Sequence, residues 1–132
     1  LKYSRGEIRT VMTVIKSLPP LKEADNLSLR EQYFIYLNTG KVFLVFALFA
    51  ISMGINKNIV TSLFTSYLEP DNIIAHPRPL LRGDDLINHL HLKPSPIIGK
   101  LLTEVQIAQI EGKVTVFQEA IDFAKKVLQQ LS

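Results

Sequence analysis

The feature that most restricts this chain is an unbroken apolar run at residues 42–51, Val-Phe-Leu-Val-Phe-Ala-Leu-Phe-Ala-Ile. Met53 and Ile55 extend it, with only Ser52 and Gly54 intervening. A spanning helix needs about 20 apolar residues, so the run is too short to cross a bilayer. It also lies too far from the N-terminus for a signal peptide. A helix that is apolar all round is instead expected at the enclosed centre of a core. The rest of the chain should therefore wrap around it.

The flanking sequence supplies helices to do so. Ser4-Arg5-Gly6-Glu7 is a capping box, with apolar residues following at Ile8, Val11, Met12, Ile15 and Leu18. Pro19-Pro20 should stop that helix, and the polar residues 22–26 should lead away from it. A second box, Ser28 to Glu31, opens a helix carrying Tyr33, Phe34 and Leu37 and ending near Gly40. The apolar helix is expected from residue 41 to residue 53, stopped by Gly54. Asn56 or Asn58 can cap the next helix, whose stripe is Val60, Leu63, Phe64, Tyr67 and Leu68. Glu69-Pro70-Asp71-Asn72 breaks it, and residues 73–79, with His76, Pro77 and Pro79, read as an extended crossing.

A short helix at residues 85–90 and a Pro-bounded turn lead to a helix start at Ser95-Pro96, which should bury Ile98, Leu101, Leu102, Val105 and Ala108. A third box, Thr115 and Gln118, opens a last helix with a stripe of Phe117, Ala120, Ile121, Ala124, Val127, Leu128 and Leu131. No stretch alternates as a strand does. The expected fold is all-α, a compact bundle of about six or seven helices around a buried central helix. It reads as a single helical domain, 1–132, with N-terminal helices in 1–70 and RNA-binding-like helices in 80–132.

At 132 residues the chain can bury a core without staples. Its 47% apolar and 20% charged content suggests that part of its surface is covered by another domain. A start at Leu1 fits a piece of a longer protein. Zero Cys removes disulfides, thiolate metal sites and a Cys nucleophile, and is compatible with the cytoplasm. A net charge of +3 permits a nucleic-acid partner without requiring one.

Two readings stand for the helix start at Ser95. In the first, it simply begins a helix that packs on the one before it. Alternatively, the amides of Ile97 and Ile98, with Lys93 and Lys100, hold a backbone phosphate. Arg78, Arg82, Lys93, Lys100 and Lys113 form a candidate RNA face, diluted by Asp84, Asp85, Glu104 and Glu111; a solvated mixed surface is the alternative. Asp85 should cap the short helix, and Gly83 should supply an unusual φ. His76, His89 and His91 are the three histidines, and their spacing makes a poor metal set. There is no phosphate loop, no Gly-x-Ser-x-Gly and no His-Glu-x-x-His, so no catalytic residue is expected.

Leu81-Arg82-Gly83-Asp84-Asp85-Leu86 resembles the Leu-x-Gly-x-Asp-Leu signature in the C-terminal region of bacterial tRNA nucleotidyltransferases and poly(A) polymerases. The run from Pro94 to Leu102 is similar to that family's Pro-Gly-Pro-x-Ile-Gly-x-x-Leu turn, with Ser95 in place of the usual Gly. Glu111-Gly112-Lys113-Val114-Thr115 and Glu119-Ala120 resemble its closing connector and last helix. Tyr67-Leu68-Glu69-Pro70, His76-Pro77-Arg78-Pro79 and Leu29-Arg30-Glu31-Gln32-Tyr33 look like the cyanobacterial branch. The resemblance implies a helical body or tail domain that holds tRNA or other RNA for 3′-end nucleotide addition by a separate nucleotidyltransferase head. That head would need Mg²⁺ and nucleoside triphosphates. The chain itself has neither a Gly-Gly-x-x-Arg-Asp run nor an Asp-x-Asp pair, so no cofactor and no autonomous activity are expected of it. On this reading Arg78, Arg82, Lys93, Ser95, Lys100 and Lys113 contact RNA, and no membrane is involved. The alternative is a structural domain that packs against the head or mediates oligomerisation.

Overall fold

A computed structural model describes residues 4–18 and 27–131. The expected stop at Pro19-Pro20 and the polar residues 22–26 lie outside the described residues. Among those described, the chain is all-α, with seven α-helices and no strand. Read from sequence as one helical domain, it gathers its contacts into two compact units, Leu1–His76 and Pro77–Ser132, each with its own apolar core.

In the first unit, α1 (Arg5–Ser17) and α2 (Leu29–Thr39) both open on the expected Ser/Glu boxes. Ser4 Oγ accepts from the Glu7 amide at 3.1 Å while the Glu7 carboxylate takes the Ser4 amide at 3.2 Å. Ser28 and Glu31 repeat this at 3.1 and 2.9 Å. Each box satisfies two amide donors that a helix start would otherwise leave free. The buried face of α2 is Tyr33, Ile35, Tyr36 and Thr39, not the expected Tyr33, Phe34 and Leu37. Leu37 is exposed, and the Arg30 guanidinium lies 5.3 Å over the Phe34 ring.

Gly40, at φ +51°, breaks the path into a 3-10 turn, Gly40–Val42, before α3 (Phe43–Ser52). A β-carbon is strained at that φ, which is why glycine serves there. By length and composition Leu29–Ser52 together could cross a membrane, a test that a core helix also passes. Gly40 nevertheless divides that span into two short helices whose inner faces are packed in the core. α3 ends in a Schellman motif: Gly54 (φ +73°) donates to the Ile51 carbonyl and Ile55 to the Ala50 carbonyl.

The expectation that α3 is enclosed on all sides does not hold. Phe43, Phe46, Ala47 and Ala50 are buried against α1 and α4, whereas Leu44, Leu48 and Ile51 are exposed. Uniform apolar composition does not tell a covered face from an open one. Asn56 caps α4 (Lys57–Leu68) through the amides of Asn58 and Ile59. Its buried residues are Ile59, Val60 and Leu63, while Phe64 and Leu68 of the expected stripe are open to solvent. The rings of Tyr36, Phe46 and Tyr67 all gather on Phe43, with centroids 5.0, 5.8 and 4.6 Å away. Tyr36 also donates its hydroxyl to the Leu63 carbonyl at 2.7 Å, tying α2 to α4.

Residues 73–76 form a turn rather than an extended strand of chain, because the Asn72 side chain accepts from Ile74 and Ala75 at 3.0 Å each. That turn places His76 Nε2 2.6 Å from the Tyr67 carbonyl, with its ring 5.3 Å from that of Tyr67. His76 therefore serves the packing of this unit.

The second unit contains α5 (Gly83–Leu90), α6 (Pro96–Ile110) and α7 (Phe117–Leu131). Leu86, Leu101, Ala120 and Ala124 have no exposed surface, and Leu81, Ile98, Val105 and Ile121 complete the buried seam. α7 packs on both α5 and α6, and its small Ala120 and Ala124 are among the residues it buries. α6 ends in a second Schellman motif, with Gly112 at φ +79° donating to the Gln109 carbonyl and Lys113 to the Ala108 carbonyl. The expected Thr115/Gln118 box is corrected. Glu119, not Gln118, reaches back to the Thr115 amide and hydroxyl at 3.1 and 2.8 Å, and Gln118 bonds Asp122 instead. Glutamate one residue further on reaches because Thr115 lies two positions before the helix, not one.

Candidate nucleic-acid interface

The turn between α5 and α6 is built by two local devices. Asp85 accepts from the Arg82 amide at 2.8 Å, closing the start of α5 as expected of it. Gly83 does not take an unusual φ, and a β-carbon there would make only an ordinary contact with Ile98 Cγ2 at 3.5 Å, so neither backbone nor space demands glycine. α5 and α6 begin side by side. At the other end of α5, His91 takes a left-handed conformation with φ 54°, the one non-glycine residue to do so among those described. A side chain is strained in that region. From His91 the chain returns through Lys93 and Pro94 to Ser95.

Ser95 occupies the N-cap position with Pro96 at the first helical position, yet its hydroxyl makes no capping hydrogen bond. The Ile98 amide is taken by the Ser95 carbonyl at 3.1 Å, so it is not a free donor as the sequence suggested. The Ile97 amide has no partner among the described residues. No acidic residue lies in the first turn of α6, whereas Asp84 and Asp85 occupy that of α5. An anion is therefore better accommodated at α6, where the positive end of the peptide dipoles meets no carboxylate. His91, Lys93, Pro94, Ser95, Pro96, Ile97, Gly99 and Lys100 are all exposed. Lys93 and Lys100 make no ion pair among the described residues.

The structure divides the six sequence candidates between the two ends of α6. Arg82, Lys93, Ser95 and Lys100 belong to its start. Arg78 lies beside its last turn, where the Gln109 side chain donates to the Arg78 carbonyl at 3.0 Å. Lys113 follows the same end and pairs with Glu111 at 3.4 Å. The 15 residues of α6 at ~1.5 Å each hold these two groups apart, so they do not make one contact cluster.

Two features outside the six candidates matter here, the open side of Gly99 and the side chain of Ile97. Gly99 faces outward in the second turn of the helix, and a β-carbon built on it would have nothing within 4 Å. Ile97, 40% exposed, is an apolar side chain presented beside the cations. The phase of Ile98 and Leu101 along the helix was enough to put both outside. His89 is exposed and its ring meets that of Phe117 edge-on at 5.3 Å. No group of three or more His, Cys, Asp or Glu side chains placed to hold a metal ion occurs among the described residues.

Residues 1–124 match the family described as tRNA nucleotidyltransferase domain 2. The chain is 42% identical over 130 residues to a CC-adding tRNA nucleotidyltransferase of Synechocystis sp.. That similarity covers 96% of this chain and 31% of the relative, so the chain spans about a third of the length of the curated protein it matches. No solved structure matches the chain.

Proposed function

The chain belongs to the tRNA nucleotidyltransferase domain 2 family, and from that premise we propose that it holds tRNA while a nucleotidyltransferase part adds nucleotides to the 3′ end. The observation that carries the proposal is the exposed start of α6, with its spare Ile97 amide, its two lysines and no carboxylate in the first turn. Arg82, Lys93, Ser95 and Lys100 are the contact residues; Arg78 and Lys113 are secondary, since both sit at the other end of that helix. Contacts of this type read phosphate position and helix shape, not base sequence, as is usual for duplex RNA. The CC-adding activity of the Synechocystis relative favours tRNA over a poly(A) tail as the RNA held. Mg²⁺ and nucleoside triphosphates would belong to the nucleotidyltransferase part, and the setting would be cytoplasmic.

The test is equilibrium binding of labelled tRNA to the chain and to the double variant Lys93→Glu, Lys100→Glu. Reversing two phosphate contacts should weaken binding by at least about a hundredfold at low salt, given ~1.5 kcal/mol or more per charge-assisted contact. Equal affinity in both proteins would remove the start of α6 from the interface. The alternative, a domain for packing or oligomerisation without RNA contact, draws its support from the exposed face of α3.

A further inference from the structure

We propose that the exposed face of α3 is the surface on which the nucleotidyltransferase part of the enzyme docks. Leu44, Leu48 and Ile51 follow one another at helical spacing and are 44%, 67% and 53% exposed. The exposed Ser52, four residues after Leu48, turns its hydroxyl back to the Leu48 carbonyl at 2.9 Å, while the opposite face of the same helix is packed into the core. A helix with this composition is normally covered on every side. One side here lacks its cover.

The occupant follows by elimination from the size and chemistry of the face. RNA does not fit, because the three side chains offer neither cation nor hydrogen bond. A spanning helix does not fit, since Gly40 divides Leu29–Ser52 and the inner face of α3 is packed in the core of its own unit. A second copy fits poorly: three side chains on one helix present on the order of a few hundred Å². A standing interface between separate molecules needs ~800 Å² from each partner. A domain of the same polypeptide escapes that requirement, because tethering raises its effective concentration without further contact. In the Synechocystis relative 31% of the length matches this chain, so more than twice as much polypeptide lies outside the match as inside it. The docking rests on family membership and not on RNA contact, so the two proposals can fail separately.

The absence of Cys from the sequence provides the assay. A single Leu48→Cys substitution is made in the chain alone and in a fusion where the chain replaces the matched region of the Synechocystis enzyme. Alkylation at that position is followed by mass spectrometry, with Lys125→Cys as an exposed control on α7. The docking predicts fast labelling in the chain alone and labelling at least tenfold slower in the fusion, with the control unchanged. Lys93→Glu with Lys100→Glu should leave that protection intact. Ile51→Cys repeats the measurement independently should Leu48→Cys disturb folding. Equal labelling in chain and fusion would overturn the proposal. So would slow, concentration-dependent labelling of the chain alone, which would assign the face to a second copy. Protection by phosphatidylglycerol vesicles alone would assign it to lipid and overturn the proposal equally.

Discussion

Gly99→Ala separates what the fold requires of α6 from what a partner requires. Glycine inside a helix costs about 0.5–1 kcal/mol relative to alanine, through the extra freedom of the unfolded chain. Gly99 has no positive φ, and a β-carbon there meets nothing within 4 Å. The fold alone thus predicts that the substitution stabilises the protein by ~0.5–1 kcal/mol, a rise in Tm of roughly 2–5 °C for a domain of this size. Thermal unfolding followed by circular dichroism measures it. The RNA-holding account predicts the opposite sign for binding: a methyl on the open side of the helix start keeps a phosphate backbone at a distance and weakens tRNA affinity about fivefold, ~1 kcal/mol. A destabilised variant would refute the open space around Gly99. A stabilised variant with unchanged tRNA affinity would refute contact between that face and RNA.

Tyr36→Phe removes the hydroxyl that reaches the Leu63 carbonyl, and should cost ~1 kcal/mol in urea unfolding because that carbonyl keeps its place in the α4 ladder. Burial pushes the Tyr36 hydroxyl up to about 12 from its ordinary 10.0. Its contribution is therefore present below pH 10 and lost as pH rises through the folded value, a decline that alkaline melts should find reduced in the variant. Glu7 is held below its ordinary carboxylate value by backbone and side-chain hydrogen bonds at Ser4, and Glu119 by the hydroxyl and amide of Thr115. Both contributions stand above the unfolded value and disappear as pH falls through the folded one, so Glu7→Gln with Glu119→Gln should flatten the acid limb of stability measured between pH 6 and pH 3. His91→Gly relieves the left-handed residue after α5 and should raise stability by ~0.5–1 kcal/mol in the same unfolding assay; a loss would show that the His91 side chain holds the turn.

Much of this fold is written in short-range chemistry. Ser4 with Glu7, Ser28 with Glu31, Asn56, Ser95-Pro96 and the glycines at 40, 54 and 112 each mark a boundary by a rule that needs only neighbouring residues. What sequence could not supply was distant. Which side of α3 is covered depends on where α1 and α4 fall, and Leu44 looks no different from Phe43 until they are placed. His76 finds its partner in the carbonyl of Tyr67, nine residues away in the preceding helix. At the candidate site, Lys93 and Lys100 were recognisable from their positions around Ser95-Pro96. The separation of Arg78 and Lys113 from them was not, because it follows from the Gln109 bond and the length of α6. The Asx turn at Asn72 has a local signal, an Asn after Pro-Asp, but the nearby Pro77 and Pro79 fit an extended crossing equally well.

The salt dependence of tRNA binding tests the central claim most directly. Three phosphate contacts, from Arg82, Lys93 and Lys100, should give a slope of log K against log[salt] of about −2 to −3, taking duplex DNA as the guide. Removing two of them with Lys93→Gln and Lys100→Gln should bring the slope to about −1. A slope near zero in the parent chain, or one that the two substitutions leave unchanged, would contradict an RNA-holding role for the start of α6.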